Sequence, residues 1–471
     1  MFVFLFSVFV ITPGLHAQLS STIPLSVGPF SPQPYTSIST SSHSSETLPG
    51  HLNLESESTS VPYPPLSITQ PTSAAHISQA SPLPIEVHSV VGQWAIETMP
   101  DGLEVPFAVP SNMNNSDKPT CMAYYADWTS QAVPPKDIPY SLLDWIDFAF
   151  AIPDPQGNLT IDAPALLGEV VERGHKNGTK VKLSIGGWTG SRYFSSLVAD
   201  TGMRQVFINN IEQVYHEYAL DGIEIDWEYP GRQGALGNQV HPDDSENFLE
   251  FLRGLRVSLP EGAKITAAVP TEPFFDASGQ PMEDCSEFAE VLDWILIMNY
   301  DTYDGSSEFG PNAPLYDGCK NSTQPDANAA QTHNVWTKAG FPVNKLVLGV
   351  PSYGYIHHDK FSEGSSTLAK SDDGQEHGSA TLRNLVYQDI LDGQLRTTRE
   401  WTREWDHCSS TPFLRSFDNA QAISYDDQTS LKMKAKFAST MGWLGTNMFD
   451  ISGDTPDWAL MKAVREGLGL M

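Results

Sequence analysis

From Pro119 onward the chain repeats a two-part texture. Short, mostly apolar runs rich in β-branched and aromatic residues alternate with longer stretches whose apolar positions recur every three to four residues. Continuous apolar runs read as strands buried on both faces, and the longer period reads as helices with one packed stripe. The pattern predicts strands at 121–128 (CMAYYADW), 145–152 (WIDFAFAI), 180–187 (KVKLSIGG) and 222–229 (GIEIDWEY). Four more follow at 264–270 (KITAAVP), 294–301 (WILIMNYD), 346–354 (LVLGVPSYG) and 445–452 (GTNMFDIS). Helical patterns lie between them: APALLGEVVERGHKNG, ended by Gly178 as a C-cap, MRQVFINNIEQVYHEYA, SENFLEFLRGLRVSL and DANAAQTHNVWTKAG. Ser245 reads as the N-cap of the third of these.

Eight such strands alternating with helices predict an α/β fold, a (β/α)8 TIM barrel over 119–471. The rival, an open doubly wound sheet, lacks its Gly-rich nucleotide turn after the first strand. Between the seventh and eighth strands, about 357–420 is rich in Trp, Thr and Asp and reads as an insertion forming one wall of a cleft. In it, the HHD triplet at His357 reads as exposed loop histidines rather than metal ligands.

The first residues differ. Residues 1–17 carry an apolar run from Phe2 to Ile11, a Pro13-Gly14 break and a small residue at Ala17, the form of a cleavable signal peptide. That run is too short to span a bilayer. Residues 18–118 are read as a disordered stalk dominated by Ser, Thr and Pro, with a partly ordered segment at 85–110. Secretion to the extracellular space is therefore expected. Sequons at Asn114, Asn158, Asn177 and Asn321 agree with that route.

A net charge of −30 argues against nucleic acid and anionic membrane as partners. The four cysteines, Cys121, Cys285, Cys319 and Cys408, form no CxxC or Cys/His cluster, so a zinc site is not expected. One or two disulfides fit, with the pairing open. The chain is expected to act as a monomer.

The stretch LDGIEIDWEYPG places Glu224, Asp226 and Glu228 at every second position. On a strand these share one face, with Cα atoms roughly 6.6 Å apart per step. In a barrel that face is the interior, and Glu228 lies at the C-terminal mouth, where active sites form. Carboxyls crowded there raise at least one pKa, which supplies the proton a general acid needs. A solvated acidic edge and a divalent-cation site are the alternatives. The second is weakened because hard cations favour irregular, oxygen-rich loops.

DGIEIDWE resembles the D-x-x-D-x-D-x-E signature of glycoside hydrolase family 18, the chitinases and their relatives, here of the secreted fungal type. Ser184-Ile185-Gly186-Gly187 is similar to its S-x-G-G motif, and Met298, Tyr300 and Asp301 to its M-x-Y-D motif. YYADW and GVPSYG fit as well. The resemblance covers 119–471. It implies a retaining, substrate-assisted hydrolysis of chitin or chito-oligosaccharides without metal or cofactor, by an endo mode. Glu228 would be the acid and base, Asp226 would hold the acetamido group, Tyr300 would fix its carbonyl, and Glu224 would support Asp226. Substrate contacts are implied for Tyr124, Tyr125, Trp188, Gly187, Met298, Asp301, Tyr353 and Phe449, with Trp128 a further stacking candidate. Asp221, of opposite parity, is given a structural role, and Trp227 a packing one.

Two positions depart from the family pattern. Glu224 stands where Asp is usual, and Phe449 where Trp is usual. An endo-β-N-acetylglucosaminidase acting on N-glycans shares the same chemistry, and a chitin-binding lectin could share the barrel.

Overall fold

A computed structural model describes residues 93–98, 104–109, 118–303, 309–358, 385–387, 401–418 and 421–471. The signal-peptide and stalk readings at 1–92 lie outside the described residues. Within the 85–110 segment the backbone forms an antiparallel hairpin, β1 (Gln93–Thr98) on β2 (Glu104–Val109).

The barrel begins with β3 (Thr120–Ala126) and β4 (Trp145–Pro153), with β5 (Leu159–Ile161) folded back antiparallel on β4. It continues with β6 (Lys180–Gly186), β7 (Gly222–Asp226), β8 (Lys264–Val269), β9 (Trp294–Ile297) and β10 (Leu346–Pro351). Each pairs in parallel with the next, skipping β5, and β16 (Gly445–Phe449) closes the circle between β10 and β3. Eight parallel strands thus close as a (β/α)8 barrel, as the apolar pattern predicts.

Side-chain alternation divides the core in two. Outward residues such as Ile223 and Ile225 pack with Phe248, Phe251 and Leu252 of the helix Asp244–Ser258. Inward residues Met122, Tyr124, Trp145, Trp294, Leu296 and Val347 form a separate interior cluster. The same parity sends Tyr125 outward, so it packs near Phe148 and donates its hydroxyl to the Val133 carbonyl at 2.8 Å.

The cap of the helix Asp244–Ser258 differs from the expectation. Its N-cap is Asp243, and Ser245 lies buried in the first turn. Asp244 instead turns its carboxylate back, accepting from His241 N at 2.7 Å, Gly231 N at 3.2 Å and Ser195 Oγ at 2.7 Å. That fastens the loop that follows β7. Gly178, at φ 81°, ends the helix Pro164–Asn177 as expected.

Between β10 and β16 the chain builds a second, antiparallel sheet. Its strands are β11 (Tyr353–His358), β12 (Leu385–Val386), β13 (Trp401–Asp406), β14 (Thr411–Ser416) and β15 (Gln421–Ser424), in the order β12-β11-β15-β14-β13. The sheet takes in Tyr353 and Ser424, slightly beyond the 357–420 read from composition. His357 is not an exposed loop residue: it is buried on β11, with Nε2 3.1 Å from Ser424 Oγ. A disulfide joins Cys319, after β9, to Cys408 in the turn between β13 and β14. Cys121 and Cys285 are free and buried, and burial pushes both thiols up to about 12.

Candidate active site

The interior face of β7 carries the carboxylates in order of depth. Glu224 is 0% exposed, Asp226 3% and Glu228 9%, so exposure rises toward the mouth. The ladder of β7 stops at Asp226, and Glu228 stands on the turn beyond it. Its backbone is held from two sides: its N–H donates to Ser191 Oγ at 2.9 Å, and its carbonyl accepts from Asn238 Nδ2 at 3.1 Å. Asn238 Nδ2 also donates to the Trp188 carbonyl at 2.9 Å, which ties the two turns together.

The S-x-G-G turn at the end of β6 exists for close approach. A Cβ on Gly186, at φ 115°, would lie 2.2 Å from the Asp226 carbonyl oxygen. Gly187, at φ 85°, donates its N–H to that oxygen at 2.8 Å, and a Cβ there would meet the Phe150 ring at 3.0 Å. Only glycine admits both the dihedral and the contact. Gly187 therefore shapes the seam beside Asp226.

Burial, then the neighbouring Glu228, Glu224 and Asp147 charges, hold the Asp226 carboxyl well above the usual carboxylate range. Glu228 is pushed from 4.5 up to about 7, chiefly by burial; a hydrogen bond with the Tyr229 side chain opposes this and the Asp301 charge adds to it. Crowded, desolvated carboxyls retain protons, so this ladder carries at least one near neutral pH. Tyr300 stands three residues beyond β9, packed 6.2 Å from Phe449 and 6.2 Å from Tyr353 between ring centroids. Burial, then the charges of Asp226, Asp301, Glu228 and Glu224, keep its phenol protonated.

Around this centre lie most of the other predicted residues. Tyr124 is buried and edge-on to Phe449 at 5.1 Å, and Met298 packs against the same cluster. Asp301 accepts from the Tyr353 hydroxyl at 2.5 Å and the Tyr355 hydroxyl at 2.7 Å, bringing β11 to the barrel mouth. Trp188 (48% exposed) and Trp128 (60%) stand open beyond β6 and β3, with Trp128 stacked on Phe150. Tyr125, on the helical side, is not brought to this site. Trp227 packs against Phe194 at 5.3 Å, and Asp221 fastens the strand entry by accepting from Val181 N at 2.8 Å, as parity indicates.

Several buried polar atoms on this interior face have no partner in the protein: Tyr124 Oη, Ser184 Oγ, Glu224 Oε2 and Asp226 Oδ1. Such a concentration marks polar capacity available to a ligand. Among the described residues, no three or more His, Cys, Asp and Glu side chains are arranged to hold a metal ion.

Sequence reasoning missed Ser191, Asn238 and Tyr355, whose roles depend on loops meeting in space. It also missed Lys182 and Asp147, for which a signal existed. Each is a charge at inward parity in an otherwise apolar strand, and Lys182 lies two residues before Ser184.

The family model described as "Glycosyl hydrolases family 18" matches residues 120–454, more than half of the chain. A chitinase-like effector of Moniliophthora roreri is 36% identical over 391 residues, covering 75% of this chain and 94% of that protein. Chitinase A1 of Niallia circulans is 31% identical over 290 residues, 58% of this chain and 40% of that one. The solved structure of a chitinase from Rhizomucor miehei superposes with a TM-score of 0.66 at 32% identity, covering 74% of this chain and 99% of that chain. With the carboxylate ladder, the glycine seam and the tyrosine at the barrel mouth, this match shows that the chain belongs to the family 18 glycosyl hydrolases.

Proposed function

We propose that this protein is a secreted chitinase that hydrolyses β-1,4 linkages between N-acetylglucosamine units with retention, using the substrate's own acetamido group as nucleophile. One observation carries the reading: the graded burial of Glu224, Asp226 and Glu228, with the outermost acid pushed up to about 7. Glu228 is protonated below that value and donates to the glycosidic oxygen as the bond breaks. The acetamido carbonyl attacks the anomeric carbon and forms an oxazolinium ion, a substrate-assisted route distinct from the usual two-carboxylate scheme. Asp226 accepts the acetamido N–H and offsets the positive charge, while the protonated Tyr300 phenol donates to the acetamido oxygen. Glu228, now a base, activates the water that opens the ring. Trp188, Trp128 and Phe449 offer stacking faces to the sugars.

The signal-like N-terminus and the sequons support secretion, and the apolar faces lining the mouth support chito-oligosaccharide as the ligand. The effector name of the Moniliophthora relative favours a second reading, a chitin-binding protein without turnover. The presence of Glu228, Asp226 and Tyr300 together argues for hydrolysis. Glu228→Gln tests the assignment: it is expected to fold, to bind chito-oligosaccharide and to lose roughly 10²-fold or more in kcat, in the range for a missing general acid. Wild-type turnover by that variant would remove Glu228 from its role.

A further inference from the structure

Beneath the ladder, a fully buried cation meets Glu224. Lys182 Nζ lies 2.9 Å from Asp147 Oδ1 and 3.4 Å from Glu224 Oε1, with all three side chains 0% exposed. Nζ also donates to Thr266 Oγ1 at 2.8 Å and sits 4.7 Å from the centre of the Trp294 ring. The residue opposite Lys182 in register is Gly222, where a Cβ would lie 2.6 Å from the Lys264 carbonyl oxygen and 3.1 Å from Lys182 Cγ. Asn447 from β16 donates to Asp147 Oδ2 on the far side. Four strands thus converge on one ammonium in the barrel floor, at a place where a buried unpaired charge would be costly.

We propose that Lys182 is a positioning residue: its ammonium binds Asp147 and Glu224 together at the floor and offsets the negative charge beneath Asp226, so that Asp226 can give up its proton and accept the acetamido N–H. The inference rests on the hydrolytic reading above and adds the groups that set its protonation. Lys182 faces Asp147 from β4 and Glu224 from β7, and Asp226 and Tyr124 lie beyond them, under the charges of Glu224 and Asp147. Burial and then the Glu224 charge push the Asp147 carboxyl up to about 7, against the opposing pull of Lys182. The strands β8, β9 and β16 present Thr266, Trp294 and Asn447, which carry no charge. Without the ammonium, two carboxylates would share a dry floor, and one would take up a proton in competition with Asp226. The length of Glu224 acquires a reason here, since its carboxylate spans from β7 to the Lys182 ammonium on β6.

The test is charge balance across four proteins: wild type, Lys182→Met, Asp147→Asn and the double variant. Methionine keeps the stem volume, and in Asp147→Asn a half-turn of the Asn447 amide, whose Oδ1 has no partner, supplies the needed acceptor. In kcat/KM against pH on a chito-oligosaccharide, Lys182→Met moves the acidic limb up by about one unit, and Asp147→Asn moves it down. The double variant returns to within about 0.3 unit of wild type. The basic limb, set by Glu228 on the turn beyond β7, moves less than half as far. Calorimetry from pH 4 to 8 reads the same balance without turnover. The Tm deficit of Lys182→Met widens as pH rises, and that of the double variant stays constant. Should wild type hydrolyse nothing, the hydrolytic reading fails while calorimetry still decides the lysine. An unmoved acidic limb with a pH-independent deficit would overturn the proposal. So would a double variant that fares no better than Lys182→Met, including the case where neither folds.

Discussion

In the proposed mechanism, Glu228 couples catalysis to stability through one proton. Burial raises its carboxyl from 4.5 to about 7, so the folded state favours the protonated form. Its contribution is fully present below pH 4.5 and is lost as pH rises through 7. Glu228→Gln removes the ionisation and should match wild type in stability near pH 4. At pH 8 it should be more stable, by on the order of 3 kcal/mol at most, since each pKa unit is worth about 1.4 kcal/mol. Unfolding at the two pH values checks this, and equal differences at both would contradict it. The placement of Glu228 at the barrel mouth was legible because parity is a local property of a strand. The hold on its backbone was not, because Ser191 and Asn238 reach it from turns 37 and 10 residues away.

At the scale of elements, the seam between β6 and β7 governs whether the site forms. Gly186→Ala would force a Cβ to 2.2 Å from the Asp226 carbonyl at φ 115°. Neither strand can yield without breaking the ladder, so the variant should lose roughly 3 kcal/mol or more. Gly168 is the control: it lies inside the helix Pro164–Asn177 with nothing within 4 Å of its added Cβ. Gly168→Ala should gain about 0.5–1 kcal/mol, because alanine suits a helix interior better. Denaturant midpoints of the two variants read both signs, and a shared sign would discredit the contact argument. Strand order and helix spacing followed from periodicity, but element ends did not. The end of β7 at Asp226 and the bend of Asp244 away from a simple cap are fixed by partners on other loops. Tyr125 shows a narrower failure. Its aromatic neighbour Tyr124 shares the motif, and alternation alone assigns them to opposite faces.

At the scale of the whole molecule, the barrel and the inserted sheet are joined covalently as well as by chain. Cys319 and Cys408 are 89 residues apart, and closing a loop of that length is worth up to about 4–5 kcal/mol in the chain-entropy treatment. The double variant Cys319→Ser, Cys408→Ser should lower the melting transition, by less than that limit because β10 and β16 already anchor the insertion's ends. An unchanged transition would show that the bond constrains little in the unfolded chain. Cysteine spacing left the pairing open, since it appears only once β13 and β14 fold back toward the β9 loop. The Lys182–Asp147–Glu224 floor is legible in hindsight as inward charges on apolar strands, yet its closure requires the barrel. The central claim, that this ladder cleaves with retention through the acetamido group, is tested most directly by the first products from N-acetylglucosamine hexamer, read by NMR for anomeric configuration. Retention predicts shorter oligomers whose new reducing ends appear first as the β-anomer, with release abolished in Glu228→Gln. An initial α-anomer, or binding with no release at any pH, would contradict it.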